Sequence, residues 1–198
     1  MRLNFEKKEM ILKIVYFGPS MGGKTTNLQN IHNLLAPDLK SQFVSINTMD
    51  DRTLFFDFFD VTTSAKWGSG RIKFRFELYT VPGQVKYEET RKLVMKGADG
   101  VVFVADSQSS KMPDNLYSRA DLDEILVQYG QSPEAFPIVF QYNKRDLPNI
   151  DPIEKMRKVL NPQTRPDFGS IATKGVNIME TLQAVTSEVI SASKKKYA

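Results

Sequence analysis

Apolar positions along the 198-residue chain fall into two alternating rhythms. Unbroken apolar runs rich in β-formers read as strands buried on both faces: Ile11-Leu12-Lys13-Ile14-Val15-Tyr16-Phe17, Gly100-Val101-Val102-Phe103-Val104-Ala105 and Pro137-Ile138-Val139-Phe140-Gln141-Tyr142. Between them, apolar residues recur at helical spacing. Leu28, Ile31, Leu34 and Leu35 share one face of a first helix. Residues 85–96, 113–130 and 152–160 form further helices, and Ile178, Leu182, Val185, Val189 and Ile190 mark the core face of a last one over 176–193. Two strands over about 54–61 and 71–79, joined by residues 62–70, read as an antiparallel hairpin. Ser170-Ile171-Ala172 reads as a short strand, residues 3–5 as an extra N-terminal one, and residues 37–53 as mixed and polar. With no repeat, linker or low-complexity segment, residues 1–198 read as one α/β domain: a mostly parallel sheet, one antiparallel hairpin and helices on both faces.

The first strand-to-helix junction carries chemistry. Gly18-Pro19-Ser20-Met21-Gly22-Gly23-Lys24-Thr25 matches GxxxxGK(S/T), the phosphate-binding loop of nucleoside triphosphatases, in the strand–turn–helix context the motif needs. Its glycines let backbone N–H groups curl around a phosphate chain. The helix start adds a positive dipole end, Lys24 a point charge and the Thr25 hydroxyl a ligand for Mg²⁺. Gly18, Ser20, Met21, Gly22, Gly23, Lys24, Thr25 and Thr26 are the candidate phosphate cradle.

Two more motifs stand at strand ends. Asn143-Lys144-Arg145-Asp146 is NKxD, which reads guanine. The Asp146 carboxylate accepts from the N1–H and exocyclic amine that adenine lacks, Asn143 bonds the base edge or a neighbouring loop, and the Lys144 stem lies over the ring. Thr80-Val81-Pro82-Gly83-Gln84 has the position and ending of DxxGQ. Gly83 then offers an amide to the γ-phosphate, and Gln84 orients the attacking water. Thr80 replaces the aspartate that holds Mg²⁺ through water in that motif, so the source of the metal-site carboxylate is not legible. In Asp50-Asp51-Arg52-Thr53, Thr53 stands where a switch segment supplies a second Mg²⁺ ligand. Arg52 reads either as an arginine finger in cis or as a surface charge paired with Asp50 or Asp51.

Composition narrows the rest. Hydrophobic residues at 41% and charged residues at 25% are ordinary for a soluble globular protein. The absence of cysteine excludes disulfides, thiolate metal sites and a prenylation site. The charged N-terminal segment is unlike a signal peptide, no apolar stretch is long enough to span a membrane, and a cytoplasmic location is expected. A net charge of +4 reads as a mixed surface rather than a nucleic-acid patch. The Lys194-Lys195-Lys196 run reads as a solvated helix end, not a stable membrane anchor. The phenylalanines of Leu54-Phe55-Phe56-Asp57-Phe58-Phe59 read mainly as core, with a share left for a partner surface; Trp67 reads as local packing, and His32, on the polar side of the first helix, receives no role.

Taken together, GPxxxGKTTN, DRTLFFDF, TVPGQ and NKRDLP make the chain resemble the MglA family of bacterial Ras-like small GTPases from its first core strand to its last helix. The resemblance implies a P-loop, Ras-like fold and a GTP/GDP switch with Mg²⁺ held by Thr25 and Thr53. It implies Arg52 and Gln84 as the catalytic pair, a roadblock-type (MglB-like) activating partner, and effectors at a cell pole. The base-loop motif SAK is degenerate: Ile171-Ala172-Thr173 takes its place, with the Ala172 amide as the candidate contact to guanine O6 and Thr173 beside it. Ser20 stands at a glycine position of the Ras loop, where a side chain crowds the glutamine, so slow intrinsic hydrolysis is expected and a scaffold that barely hydrolyses GTP is the alternative.

Overall fold

A computed structural model describes residues 1–4, 6–47, 55–67 and 70–197. Phe5, the switch candidates Asp50, Asp51, Arg52 and Thr53, and Leu54 lie outside the described residues, as do the side chains of Phe55, Trp67 and Lys196.

The strands are β1 (Arg2–Asn4), β2 (Glu9–Phe17), β3 (Val44–Asn47), β4 (Phe55–Trp67), β5 (Gly70–Thr80), β6 (Gly100–Asp106), β7 (Ile138–Asn143) and β8 (Asp167–Gly169). The α-helices are α1 (Lys24–Leu34), α2 (Glu88–Met95), α3 (Met112–Gln128), α4 (Ile153–Leu160) and α5 (Ile178–Tyr197). The sheet runs β3-β4-β5-β2-β6-β7-β8, with β1 also pairing β2. From β5 to β8 it is parallel; β3–β4, β4–β5 and β1–β2 are antiparallel.

The parallel strands are apolar throughout because helices cover both faces. Leu12, Ile14 and Tyr16 of β2, with Val102 and Val104 of β6, pack under Leu28 and Ile31 of α1 and Ile178, Leu182, Val185 and Val189 of α5. Val15, Phe17, Val101 and Phe103 point the other way, against Val94 of α2, Leu122 and Ile125 of α3, and Met156 and Leu160 of α4. The loops leaving the parallel strands at their C-terminal ends therefore gather on one edge, the ligand-binding edge of an open α/β sheet.

Four details depart from the sequence pattern. The hairpin is longer than its apolar core: pairing continues to Trp67↔Gly70, because two antiparallel strands satisfy each other's backbone beyond the helices. The polar stretch 37–53 contains β3, which pairs Val44↔Phe58 through Asn47↔Phe55. The strand expected at 170–172 lies at Asp167–Gly169 instead, because the Asn143 side chain captures Ser170 and Ala172 and the chain turns into a 3₁₀ helix at Ala172–Lys174. On α1, Leu34 is exposed, while His32 is half-buried, edge-on to the rings of Phe43 and Phe59 at 5.6 and 5.1 Å. Periodicity missed His32 because its partners arrive from another part of the chain.

Candidate functional site

Residues Gly18–Gly23 turn from β2 into α1 with backbone that side chains resist. Gly18 has φ 143°, and a Cβ there would stand 2.2 Å from the Val104 carbonyl oxygen; Gly23 has φ 100°, and its Cβ would meet Asn143 Nδ2 at 2.2 Å. Gly23 caps α1 with no side-chain bond, and the first turn carries no acidic residue. The opening N–H groups and the dipole are thus left to an anion.

Lys24 is buried, and its ammonium donates to the carbonyls of Gly18 (2.9 Å) and Pro19 (2.6 Å). Burial pushes its pKa down to about 7; the Arg91 charge pushes the same way and Asp57 opposes it. Thr25 is exposed and donates through its hydroxyl to Asp57 Oδ2 at 2.6 Å.

Across the cleft lies the loop after β5. A Cβ on Gly83 would fall 2.2 Å from the Ser20 amide nitrogen and 2.4 Å from the Pro19 carbonyl carbon, so glycine alone permits this approach. Gln84 is exposed, and its carbonyl accepts from Arg91 Nη1 at 2.6 Å. Arg91, 2% exposed on α2, is held in turn by Asp121 of α3 at 2.6 Å. The two loops enclose a cavity of about 380 Å³ lined by Ser20, Met21, Gly23, Lys24, Thr25, Thr26, Asp57, Thr80, Gly83 and Gln84 among others. Sequence reasoning missed Asp57, although a charge inside an aromatic strand was a visible signal.

The base end is built around Asn143. Its Nδ2 donates to the Gly22 carbonyl at 2.9 Å, and its Oδ1 accepts from the Ala172 amide (2.9 Å) and the Ser170 hydroxyl (3.2 Å). Of the two roles open to Asn143, this structure takes the loop one: it ties the phosphate loop to the 170–172 segment. The Ala172 amide expected at guanine O6 is donated to Asn143 instead; exposed Thr173 follows it. Lys144 has φ 66° and donates to Asp106 Oδ2 at 2.6 Å, which fixes its stem. Asp146 is exposed, with the Lys174 ammonium 3.3 Å from its carboxylate.

Among the described residues, no cluster of three His, Asp or Glu could hold a metal by itself. The oxygens at Thr25 and Asp57 nevertheless suit Mg²⁺, which takes one or two carboxylate or hydroxyl ligands and completes its shell with phosphates and water. Among the described residues, no helix is long and apolar enough to cross a membrane.

No protein-family profile matches the chain. It is 47% identical to the mutual gliding-motility protein MglA of Myxococcus xanthus over 98% of its own length and 97% of that protein's. It is 27% identical to the Ypt/Rab-type GTPase ypt7 of Schizosaccharomyces pombe over 90% and 82%, and 26% identical to the Ras-related protein Rab-7a of Dictyostelium discoideum over 93% and 85%. A strand–loop–helix phosphate cradle, a TVPGQ loop against it and an NKRD turn behind it, with these relatives, establish a GTP-hydrolysing enzyme: the chain belongs to the MglA family of Ras-like small GTPases.

Proposed function

We propose that the protein is a GTP/GDP switch in cell polarity and motility, slow to hydrolyse GTP alone and accelerated by a roadblock-type, MglB-like partner, with effectors at a cell pole. The gliding-motility name of the Myxococcus relative supports the setting. The observation that carries the mechanism is the approach of Gly83 to Ser20, which sets Gln84 at the rim of the phosphate cavity.

In this reading the loop amides, the α1 N-terminus and Lys24 hold the phosphates, and Asp146 accepts from the guanine edge. The Lys144 stem, braced by Asp106, covers the ring. Thr25 and Thr53 hold Mg²⁺, which when bound neutralises charge on the phosphate oxygens. Gln84 orients the attacking water, and Arg52 reaches the transferring phosphoryl group when the partner binds. Ser20, beside Gly83, narrows the space for the Gln84 side chain and keeps the unaided reaction slow.

The test is phosphate release from preloaded GTP in the presence of the partner. Arg52→Ala and Gln84→Leu are expected to lose most of the stimulated rate, about 10³-fold or more for the arginine, with GDP affinity nearly unchanged. Wild-type rates in Arg52→Ala would place the catalytic arginine elsewhere.

A further inference from the structure

Met21 sits in the phosphate loop in a way that neither packing nor backbone preference explains. Its φ is 58°, in the left-handed region that favours glycine. A side chain in that region strains the backbone, and packing around it is the usual compensation. Met21 has none: it is 84% exposed, and it lines the cavity of about 380 Å³ together with Ser20, Lys24 and Gln84.

The other methionines are placed differently. Met10, Met95 and Met156 are buried. Met1, Met112 and Met179 are partly buried against the two cores. Met49 lies outside the described residues. The chain has no cysteine, whose thiolate would compete for an oxidant. Among the described residues, the Met21 thioether is therefore the sulfur most open to one.

The loop decides what an oxygen on that sulfur does. The opening N–H groups of α1 have no side-chain cap, and the first turn carries no acidic residue. These donors are left to an anion. A thioether is a weak acceptor and does not compete for them. A sulfoxide is polar, and the flexible methionine stem lets its oxygen turn toward the loop.

We propose that Met21 is a reversible oxidation site at the phosphate loop, at which hydrogen peroxide converts the thioether to a sulfoxide whose oxygen competes with the nucleotide phosphates for the loop's donors and repels their charge; this rests on the guanine-nucleotide reading above. In the step, a sulfur lone pair forms the S–O bond as the peroxide O–O bond breaks. The departing hydroxide takes the S–OH proton and leaves as water. Sulfur is oxidised and peroxide reduced. Methionine sulfoxide reductase returns the thioether at the expense of a thiol. The oxidised protein holds nucleotide weakly, and the reduced protein holds it tightly.

The experiment uses dilute hydrogen peroxide as the probe, peptide mass spectrometry to place the added oxygen, and fluorescence titration to measure GDP affinity before and after treatment. The wild type is expected to gain oxygen on Met21 ahead of Met10, Met95 and Met156 and to lose GDP affinity about fivefold or more. The reductase is expected to restore that affinity. Met21→Leu, whatever its own starting affinity, is expected to bind GDP equally before and after peroxide. Met21 still reduced while a buried methionine is oxidised would overturn the proposal. So would GDP affinity within about twofold of the untreated value in protein fully oxidised at Met21, or an equal loss in Met21→Leu. Failure of the untreated wild type to bind GDP would instead overturn the nucleotide reading beneath it, with the oxidation of Met21 still read by mass.

Discussion

Lys24 shows how a single residue sets the conditions for binding. An ordinary lysine titrates near 10.5; burial among the Gly18 and Pro19 carbonyls brings this one down to about 7. Between about pH 7 and the unfolded value the unfolded chain binds more protons, so the nucleotide-free protein gains stability as pH rises through that window. Below it both states are protonated and the full cost of burying the charge is present. A phosphate chain favours the charged form, so binding takes up a proton above pH 7. The expected result is a GDP dissociation constant that rises by up to about tenfold per pH unit between 7 and 9, measured by calorimetry. A flat profile would show that Lys24 stays charged in the empty site. At the base end the corresponding residue is Asp146, whose exposed carboxylate is the one proposed to accept from guanine. Asp146→Asn reverses the donor pattern, and the variant is expected to lose GTP affinity and gain affinity for xanthosine triphosphate in competition binding. Equal preference in wild type and variant would remove Asp146 from the base site.

Among elements, α2 has the most to do after the phosphate loop. Its Arg91 is nearly inaccessible, pairs with Asp121 of α3 and holds the Gln84 carbonyl, so the loop after β5 is fastened to the helical layer through one guanidinium. Arg91→Met leaves the half-buried Asp121 carboxylate unpaired. It is expected to cost about 3 kcal/mol in denaturant unfolding and to lower partner-stimulated hydrolysis at least tenfold while GDP affinity holds within about threefold. Wild-type turnover in a destabilised protein would make the arginine purely structural. Elements also mark where sequence pattern stops being informative. Helix α5 and strands β2, β6 and β7 were legible because their apolar faces match one period and helices cover both sides. Strand β3 was not: it is an edge strand of four residues, with Val44 exposed, and its pairing with β4 is a long-range event without local pattern. Strand β8 was displaced by three residues because the Asn143 side chain, 27 positions away from Ser170, decides where the chain leaves the sheet.

At the scale of the whole molecule, the site is where three separated loops meet at the C-terminal edge of the parallel strands. The motifs were readable because each sits at a strand end, and strand ends on one edge converge whatever the loop lengths. The contacts between the loops were not readable. Gly23 against Asn143, Gly83 against Ser20 and Asp57 against Thr25 are contacts between distant parts of the chain that no spacing encodes. The same convergence puts the loop of Gly83 and Gln84 directly against the phosphate loop, where one partner could act on both. The most direct measurement of this account is single-turnover hydrolysis of GTP by the purified protein, with and without a roadblock-type partner and with excess ATP as competitor. The account predicts slow hydrolysis alone, a rise of about 10³-fold or more on adding the partner, and no change with ATP. Inhibition by ATP, or no response to a partner that demonstrably binds, would contradict it.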